Sequence, residues 1–331
     1  MPNQLLSRIQ KLLQYNIDEV ELLNKLNEIV VSEKLMQRHY SETISVNDLF
    51  NEQKDRFISD DKNFGLINTG FKYFDMYFGD IGPGEYIVFG ARPGNCLAKF
   101  LIQAVCNISK KVPVLYISLL DNYKLLITNI VSIHTKISPE NLLAGRLTEK
   151  ENELLKAFEN DLSSYKLHIN KAAGYSISEL RELCVEHLEE NLTKVIVFDS
   201  LNLITPGFRT KNSRELEYNY IHCEIKRIAK DLGVCIIAGC KLRNTFETSI
   251  SFDSDIRDLF ESGTVELEAD KIFILHRPER YGIIEDECGI SYKDKIFIKA
   301  LKFGSSSIIE LCLKFNENRT EIVDTDYEFP F

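Results

Sequence analysis

The chain has 331 residues, and its 40 Lys and Arg against 50 Asp and Glu give a formal net charge of −10. Apolar residues make up 44% of the chain, which is typical of a soluble globular protein with one large domain or one domain with an appendage. No stretch of about 18 apolar residues is present, which excludes a transmembrane helix, and the acidic balance argues against a surface that binds nucleic acid throughout.

The cysteines and the N-terminal sequence both predict a cytoplasmic protein. Eight cysteines occur without a CxxC pair, and Cys106, Cys235 and Cys312 lie in apolar stretches, where a free thiol packs as a small hydrophobic group. The first residues include Arg8 and Lys11 and lack a small-residue cleavage site, so we expect no secretory signal. A reducing compartment fits these features.

The first 60 residues are predicted to form a helical arm and a linker. Residues 4–31 carry two helical stripes of apolar side chains, which are Leu5, Ile9, Leu12 and Leu13, then Leu22, Leu23, Leu26 and Val30. The polar segment 51–63 is typical of a linker. Because an exposed apolar stripe is unfavourable, we expect the arm to pack on its own domain or on a second subunit.

From Tyr86 onward, short apolar runs alternate with helical patterns. Strands are predicted at Tyr86–Phe89, Val114–Ser118, Leu167–Ile169, Val195–Phe198, Val234–Ala238, Ile272–Leu275, Ile296–Ile298 and Ile308–Phe315. Helices are predicted near Ala98–Ser109, Tyr123–His134, Glu149–Leu162, Ser178–Glu189 and Arg214–Lys230. This alternation predicts a mostly parallel sheet, and the last strands, which lack intervening helices, predict an antiparallel edge.

The turn after the first of these strands is where an open parallel sheet usually binds phosphate. A working phosphate-binding loop ends in Gly-Lys-Ser/Thr, whereas this chain has Cys96, Leu97 and Ala98 there. The turn can still bind an anion through its backbone amides, or it merely shapes a tight connection. The candidate nucleotide-binding residues are therefore Arg92, Pro93, Gly94, Asn95, Cys96, Leu97, Ala98 and, from a later strand, Asp199.

The strand that ends in Asp199 is a second landmark. P-loop proteins place at this point the carboxylate that helps to hold Mg²⁺. Without a partner hydroxyl, the same carboxylate is more often a hydrogen-bond acceptor in the following turn. Both roles stay open, and no metal ligand is assigned.

Four motifs follow one another between residues 64 and 316. They are TGFxxxD at Thr69–Asp75, ARPG at Ala91–Gly94, Asp199 with Leu201 and Leu203, and ESGxxExxAD at Glu261–Asp270. In this order they resemble the RecA-like motor domain of the DnaB family of replicative DNA helicases. The resemblance implies an α/β, RecA-like P-loop NTPase fold with a mostly parallel central sheet flanked by helices. It places that domain at residues 61–318, after a short helical arm and linker (1–60) and before an acidic C-terminal tail (319–331).

The resemblance also implies which positions would serve ATP hydrolysis. The P-loop lysine and threonine correspond to Leu97 and Ala98, the catalytic glutamate to Leu120, and a later glutamine to Lys241. The lysine and arginine that act on the neighbouring subunit's nucleotide correspond to Ala300 and Lys302. Only Asp199 keeps the family's residue type at these positions.

Basic residues after the Asp199 strand fall where the family's hexamers place DNA-contacting loops. The candidates for contact with single-stranded DNA are Arg209, Lys211, Arg214, Lys241 and Arg243. A basic loop is also a common solvated surface, and the net charge of −10 favours that alternative.

We therefore predict a DnaB-like protein that has lost its ATPase residues and has no catalytic residues of its own. It is expected to serve as a non-catalytic binding or assembly module linked to DNA replication, with ATP and Mg²⁺ bound weakly or not at all. The expected partners are the replicative helicase or other replication proteins, together with self-association. The alternative is an ATP-dependent DNA helicase that works with altered residues or within a mixed hexamer.

Overall fold

A computed structural model of the chain describes residues 45–48, 50, 51, 54, 66–119, 123–207, 214–242, 264–286, 288–304 and 310–325. The chain divides into two compact units, Met1–Phe64 with Gly207–Lys211, and Gly65–Pro206 with Asn212–Phe331. The predicted amphipathic stripes at 4–31 lie outside the described residues.

Within the first unit, residues 46–48, 50, 51 and 54 are helical, so the start of the segment that we predicted as a linker is helical instead. The cause is local, because Ser45 Oγ accepts a hydrogen bond from the Asp48 amide at 3.1 Å and donates to Asp48 Oδ2 at 2.6 Å. A serine in this position satisfies the unpaired amides of a first helical turn.

The second unit is built, in its described part, on a nine-stranded sheet with the order β11-β10-β9-β8-β1-β7-β5-β2-β3. The strands of this sheet are β1 (Tyr86–Ala91), β2 (Val114–Ser118), β3 (Leu167–Lys171), β5 (Val195–Asp199), β7 (Cys235–Lys241), β8 (Lys271–His276), β9 (Lys295–Phe303), β10 (Glu310–Phe315) and β11 (Ile322–Asp324). A second small sheet pairs β4 (Tyr175–Ser176) with β6 (Ile204–Thr205).

Helices connect and cover these strands. They are α1 (Lys72–Phe78), α2 (Leu97–Ser109), α3 (Tyr123–Thr135), α4 (Pro139–Ala144), α5 (Glu149–Asp161), α6 (Ile177–Asn191), α7 (Arg214–Leu232) and α8 (Thr264–Glu268). Two apolar cores result, one on each face of the sheet. The first contains α1 and α2, and the second contains α6 and α7.

The predicted strand order along the chain and the antiparallel edge are confirmed. Strands β1, β2, β3, β5, β7 and β8 pair in parallel, whereas β8, β9, β10 and β11 pair antiparallel. The sequence patterns did not predict the short helices α1, α4 and α8. These have 7, 6 and 5 residues, too few for a helical apolar period to stand out.

The C-terminal boundary also differs from the prediction. Strand β11 lies inside the segment that we assigned to the acidic tail, and Ile322 is buried. The carboxylate of Asp324 accepts the backbone amides of Lys72 and Tyr73, both at 3.1 Å, at the start of α1. An acidic side chain stabilises a helix N-terminus, so this residue joins the end of the domain to its beginning.

The TGFxxxD motif forms a closed turn before α1. The Asp75 carboxylate accepts hydrogen bonds from the amide and hydroxyl of Thr69, at 2.9 and 2.7 Å, and from the Gly70 amide at 3.0 Å. Burial nevertheless raises the pKa of Asp75 above its usual value. The motif is thus a structural element of this domain. Among the described residues, no helix is long and apolar enough to cross a membrane.

Candidate functional site

A cavity of about 400 Å³ opens at the carboxyl edge of the parallel strands. The last residues of β1, β7 and β5 are Ala91, Lys241 and Asp199, and all three line the cavity. Its other lining residues come from the turn and the start of α2, namely Arg92, Pro93, Gly94, Asn95, Cys96, Leu97, Ala98 and Lys99. The eight candidate nucleotide-binding residues are therefore brought together around one cavity.

Asn95 holds the shape of the turn. Its amide and its side-chain Nδ2 both donate to the carbonyl of Arg92, at 3.2 and 3.0 Å. Nδ2 also donates to the hydroxyl of Tyr281 at 2.9 Å, and Oδ1 accepts the amide of Arg277 at 2.7 Å. With only 1% of its surface exposed, Asn95 ties the turn to the segment that follows β8.

Cys96 occupies the position of the loop's last glycine, and its backbone keeps a glycine-like conformation. Its φ of +65° lies in the left-handed region, which costs an L-residue about 1–2 kcal/mol relative to a right-handed conformation. The thiol faces a cation, since Arg277 Nη1 lies 3.0 Å from Sγ. The guanidinium of Arg277 in turn pairs with Glu279 and lies over the ring of Phe315, 4.9 Å from its centroid.

Neither Leu97 nor Ala98 offers a polar group to the cavity. Leu97 is only 9% exposed and belongs to the apolar core around α2. The nearest lysine on the helix is Lys99, which donates to the carbonyl of Arg319 and lies 5.1 Å from the centroid of the Phe315 ring. Burial lowers the pKa of Lys99. Its ammonium is therefore held by the segment after β10.

Asp199 is 4% exposed and lies beside Gly239 of β7, with which it is in register. A Cβ on Gly239 would lie 2.9 Å from Asp199 Oδ1 and 2.9 Å from Leu101 Cδ1. A glycine is therefore required on β7 if the carboxylate is to occupy this place. Among the described residues, no group of three or more His, Cys, Asp or Glu could hold a metal ion.

The positions that correspond to the trans-acting groups face into their own domain. Ala300 is buried in the apolar core. Lys302 Nζ donates to the carbonyls of Glu266 and Ala269, both at 2.6 Å, where α8 ends. An ammonium at this place satisfies carbonyls that a helix C-terminus leaves unpaired.

Most of the other predicted site residues lie outside the part of the chain that the structure describes. Leu120, Arg209, Lys211 and Arg243 lie outside the described residues, and Arg214 begins α7 with a side chain that is not described. The grouping of the DNA-contact candidates therefore stays a prediction. Lys241, which we grouped with them, lines the cavity beside the phosphate-loop turn.

The segment after β8 was not predicted to belong to the site. Arg277, Arg280 and Tyr281 contact the turn, and Glu279 pairs with Arg277. A Cβ on Gly94 would lie 3.0 Å from Arg280 Nη2. The run HRPERYG follows a strand and contains charged and aromatic residues, which is the one local signal that favours a site. Asn95 and Tyr281 are in contact although 186 residues separate them in the sequence. This contact depends on the pairing of β1 with β8.

The parallel sheet, the phosphate-loop turn after β1 and the acidic end of β5 define a RecA-like P-loop NTPase fold. Residues 66–324 match the model of the DnaB-like helicase C-terminal domain, and the chain belongs to this family.

Two similar proteins are replicative DNA helicases. The chain is 28% identical to the replicative DNA helicase DnaC of Bacillus subtilis over 269 aligned residues. The aligned region covers 80% of this chain and 59% of the relative. The chain is 25% identical over 269 residues to the replicative DNA helicase DnaB of Geobacillus stearothermophilus, again covering 80% and 59%. The chain thus spans less than two thirds of the length of these relatives.

Two solved structures share the fold. One, described as a DnaB-like replicative helicase and its interactions with primase, has a TM-score of 0.76 and 21% identity, covering 98% of this chain and 76% of that one. The other, described as an ATPase domain, has a TM-score of 0.77 and 21% identity, covering 86% of this chain and 100% of that one.

Proposed function

We propose that this chain is a DnaB-like protein that does not hydrolyse ATP and acts as a binding or assembly module in DNA replication. The observation that carries the proposal is the packing of Leu97 in the apolar core, at the position of the family's phosphate lysine. No rotation of an aliphatic side chain supplies the positive charge that phosphoryl transfer requires there.

Further departures support the same function. Ala98 lacks the hydroxyl that would bind Mg²⁺, and Leu120 lacks a carboxylate to activate water. The ammonium of Lys302 is engaged by carbonyls of its own domain at the end of α8. A trans-acting arginine alone is worth about 10³- to 10⁵-fold in rate, so the combined loss leaves no useful turnover.

The proposed partners follow from the family. A similar structure was described together with its interactions with primase, and the curated relatives are replicative helicases. We accordingly assign this chain to the cytoplasm, with the organism's own replicative helicase as its first candidate partner and self-association or single-stranded DNA as further ones.

Co-purification and activity with that helicase test the proposal. We expect the tagged chain to retain the helicase on a column and to add no ATPase activity of its own to the mixture. The rival function, a helicase subunit of a mixed hexamer, is supported only by the retained Asp199. It predicts that the mixture hydrolyses ATP faster than the helicase alone and that Asp199→Ala removes the increase. An increase in ATP hydrolysis that depends on Asp199 would contradict the proposal and support the rival function.

A further inference from the structure

Two histidine side chains from different elements meet beside the end strand β3. His168 lies on β3, which is the last strand in the order of the nine-stranded sheet, and His187 lies on α6. His168 Nδ1 and His187 Nε2 are 2.7 Å apart, and the planes of the two rings are inclined by 83°. Neither residue lines the cavity beside the phosphate-loop turn. Two imidazole nitrogens therefore face each other at a place that the proposed function does not use.

Thr193 fixes the proton on His187. The Thr193 hydroxyl donates to the carbonyl of His187 at 3.2 Å, so its oxygen is left to accept a hydrogen bond from His187 Nδ1. In the neutral ring the proton is then on Nδ1, and the lone pair of Nε2 is directed at His168. Thr193 is fully buried, so the ring is held from behind. A hydrogen bond of this kind, to the nitrogen that does not bind the metal, orients the ring in metal-binding histidines.

Both imidazoles are available as ligands. Burial, together with the neighbouring His168, lowers the pKa of His187, while Glu190 acts in the opposite direction. A metal ion binds the neutral ring, so a lowered pKa keeps His187 ready to bind. His168 is exposed, and its proton can exchange through solvent from Nδ1 to Nε2. Glu190 and the C-terminal end of α6 add negative charge beside the pair, which favours a cation.

A small movement opens the pair enough to hold a metal ion. A tetrahedral ion with metal–nitrogen bonds of about 2.0–2.1 Å keeps its two nitrogens about 3.3 Å apart. The two ring nitrogens are now 2.7 Å apart, as a shared proton requires. Rotation of the exposed His168 ring is enough to supply the difference. Water completes the coordination, because within the described ranges no third His, Cys, Asp or Glu joins the pair.

We propose that His168 and His187 form a two-histidine site for a divalent transition-metal ion of the Zn²⁺ class, with Thr193 as its positioning residue. Imidazole is a ligand for Zn²⁺, Cu²⁺ and Ni²⁺, whereas Mg²⁺ prefers oxygen. The ion takes the place of the proton that the two rings share, and it joins β3 to α6. The proposal does not depend on whether the chain hydrolyses ATP.

Calorimetric titration with ZnCl₂ tests the site on the full chain, prepared without a polyhistidine tag and freed of metal with EDTA. At about pH 8, above the usual pKa of histidine, wild type should bind Zn²⁺ in a single step. His168→Asn and His187→Gln keep an amide for the hydrogen bond to the other ring but lack one imidazole. Because two ligands on one chain act as a chelate, each variant should bind about 10²-fold more weakly.

Thr193→Val removes the hydroxyl and keeps the shape of the side chain. Without its orienting hydrogen bond, His187 should bind Zn²⁺ about 10-fold more weakly. Thr193→Ser returns the hydroxyl and should restore the affinity, which a loss of packing alone would not predict. Unchanged affinity in Thr193→Val overturns the positioning role of Thr193.

Two controls separate this pair from other possible ligands. His134→Gln removes a histidine of α3 whose Nδ1 lies 2.6 Å from the Tyr165 hydroxyl, and it should bind Zn²⁺ like wild type. The double variant Cys223→Ser, Cys288→Ser removes two exposed thiols and should also bind like wild type. Co²⁺ gives a second measurement, since a histidine site lacks the sulfur-to-metal charge-transfer absorption of a thiolate site.

Loss of affinity in both histidine variants, with both controls unchanged, supports the site. Absence of Zn²⁺ binding by wild type overturns the proposal and leaves a hydrogen bond between the rings as their whole role. Unchanged affinity in His168→Asn or His187→Gln also overturns it, as does competition by an equal concentration of Mg²⁺. Thiolate absorption with Co²⁺ assigns the metal to cysteine and overturns it too. If a histidine variant does not fold, the Co²⁺ spectrum of wild type decides between the two ligand sets.

Discussion

Single residues explain how the phosphate-loop turn keeps its shape, and two positions within it carry the proposal that the chain does not hydrolyse ATP. Asn95 and Arg277 hold the turn from the side of β8, independently of any ligand. Cys96 retains a left-handed backbone, which fits a position that elsewhere carries glycine. Residues outside the turn therefore hold its shape, while Leu97 and Ala98 carry neither a charge nor a hydroxyl.

Restoring that chemistry should recover binding without recovering catalysis. The triple variant Cys96→Gly, Leu97→Lys, Ala98→Thr should bind ATP with Mg²⁺ more tightly than wild type, because lysine and hydroxyl return to a loop of the right shape. Hydrolysis should stay near the blank, since Leu120 supplies no base. Equilibrium dialysis and a phosphate-release assay measure the two. A folded triple variant that fails to gain affinity would show that the loop has lost its cradle as well.

A glycine is required at position 70 because a neighbouring side chain lies close to its Cα, as well as because of its backbone angle. Gly70 and Gly79 have φ of +84° and +67°, but a Cβ on Gly70 would lie 2.5 Å from Asn107 Nδ2, whereas nothing lies within 4 Å of one on Gly79. Gly79→Ala should cost about 1–3 kcal/mol from its backbone angles alone, and Gly70→Ala about 1–3 kcal/mol more. Urea unfolding measures the free energy of unfolding of both variants. Equal losses would mean that the close contact with Asn107 adds no cost.

Buried histidine makes the stability depend on pH. Burial lowers the pKa of His222, whose Nδ1 lies 2.9 Å from the Tyr86 hydroxyl, from 6.5 to about 4. The unfolded chain therefore binds more protons below pH 6.5, and stability falls as the pH falls towards 4. The expected loss for this histidine is about 3 kcal/mol.

Denaturant titrations at several pH values, with wild type and His222→Gln, measure this slope. The variant should lose only part of the dependence, because burial also lowers the pKa of His276 to about 4 and lowers the pKa of His187, and both keep their shares. A uniform destabilisation at every pH, with the slope unchanged, would mean that His222 does not titrate as described.

At the scale of elements, the strands and long helices were predictable because burial gives them regular apolar patterns. Val114–Ser118 was predicted to the residue, and α2 and α3 to within one residue at each end. Helix α1 was not, because its sequence KYFDMYF is aromatic without a clear period. Its position depends on the Asp75 turn and on Asp324, more than 250 residues away, which a local pattern cannot reveal.

The ammonium of Lys302 links strand β9 to the end of helix α8. Since its ammonium satisfies carbonyls at the end of α8, Lys302→Met should lower the free energy of unfolding by about 1–2 kcal/mol. The matched variant Lys314→Met, at an exposed position of β10, should change it little. Urea unfolding of both variants measures the difference. If Lys302→Met were as stable as Lys314→Met, the ammonium would not stabilise α8.

For the whole molecule, the sequence predicted which residues surround the cavity but not how their polar groups are used. The order of the motifs placed Arg92–Ala98 and Asp199 together, because parallel strands end at one edge of a sheet. The charge of Lys241 is visible in the sequence, but its place at the cavity depends on its register with Ala91, which is not. Likewise, the contacts of Arg277 and Lys302 depend on strand pairings that only the folded chain defines.

The central claim is that this DnaB-like domain does not hydrolyse ATP, and a phosphate-release assay tests it directly. The full chain is incubated with ATP, Mg²⁺ and single-stranded DNA, beside the variant Asp199→Ala, which removes the carboxylate at the end of β5. We expect both proteins to release phosphate at the rate of the protein-free blank. Turnover by the wild type that Asp199→Ala abolishes would contradict it.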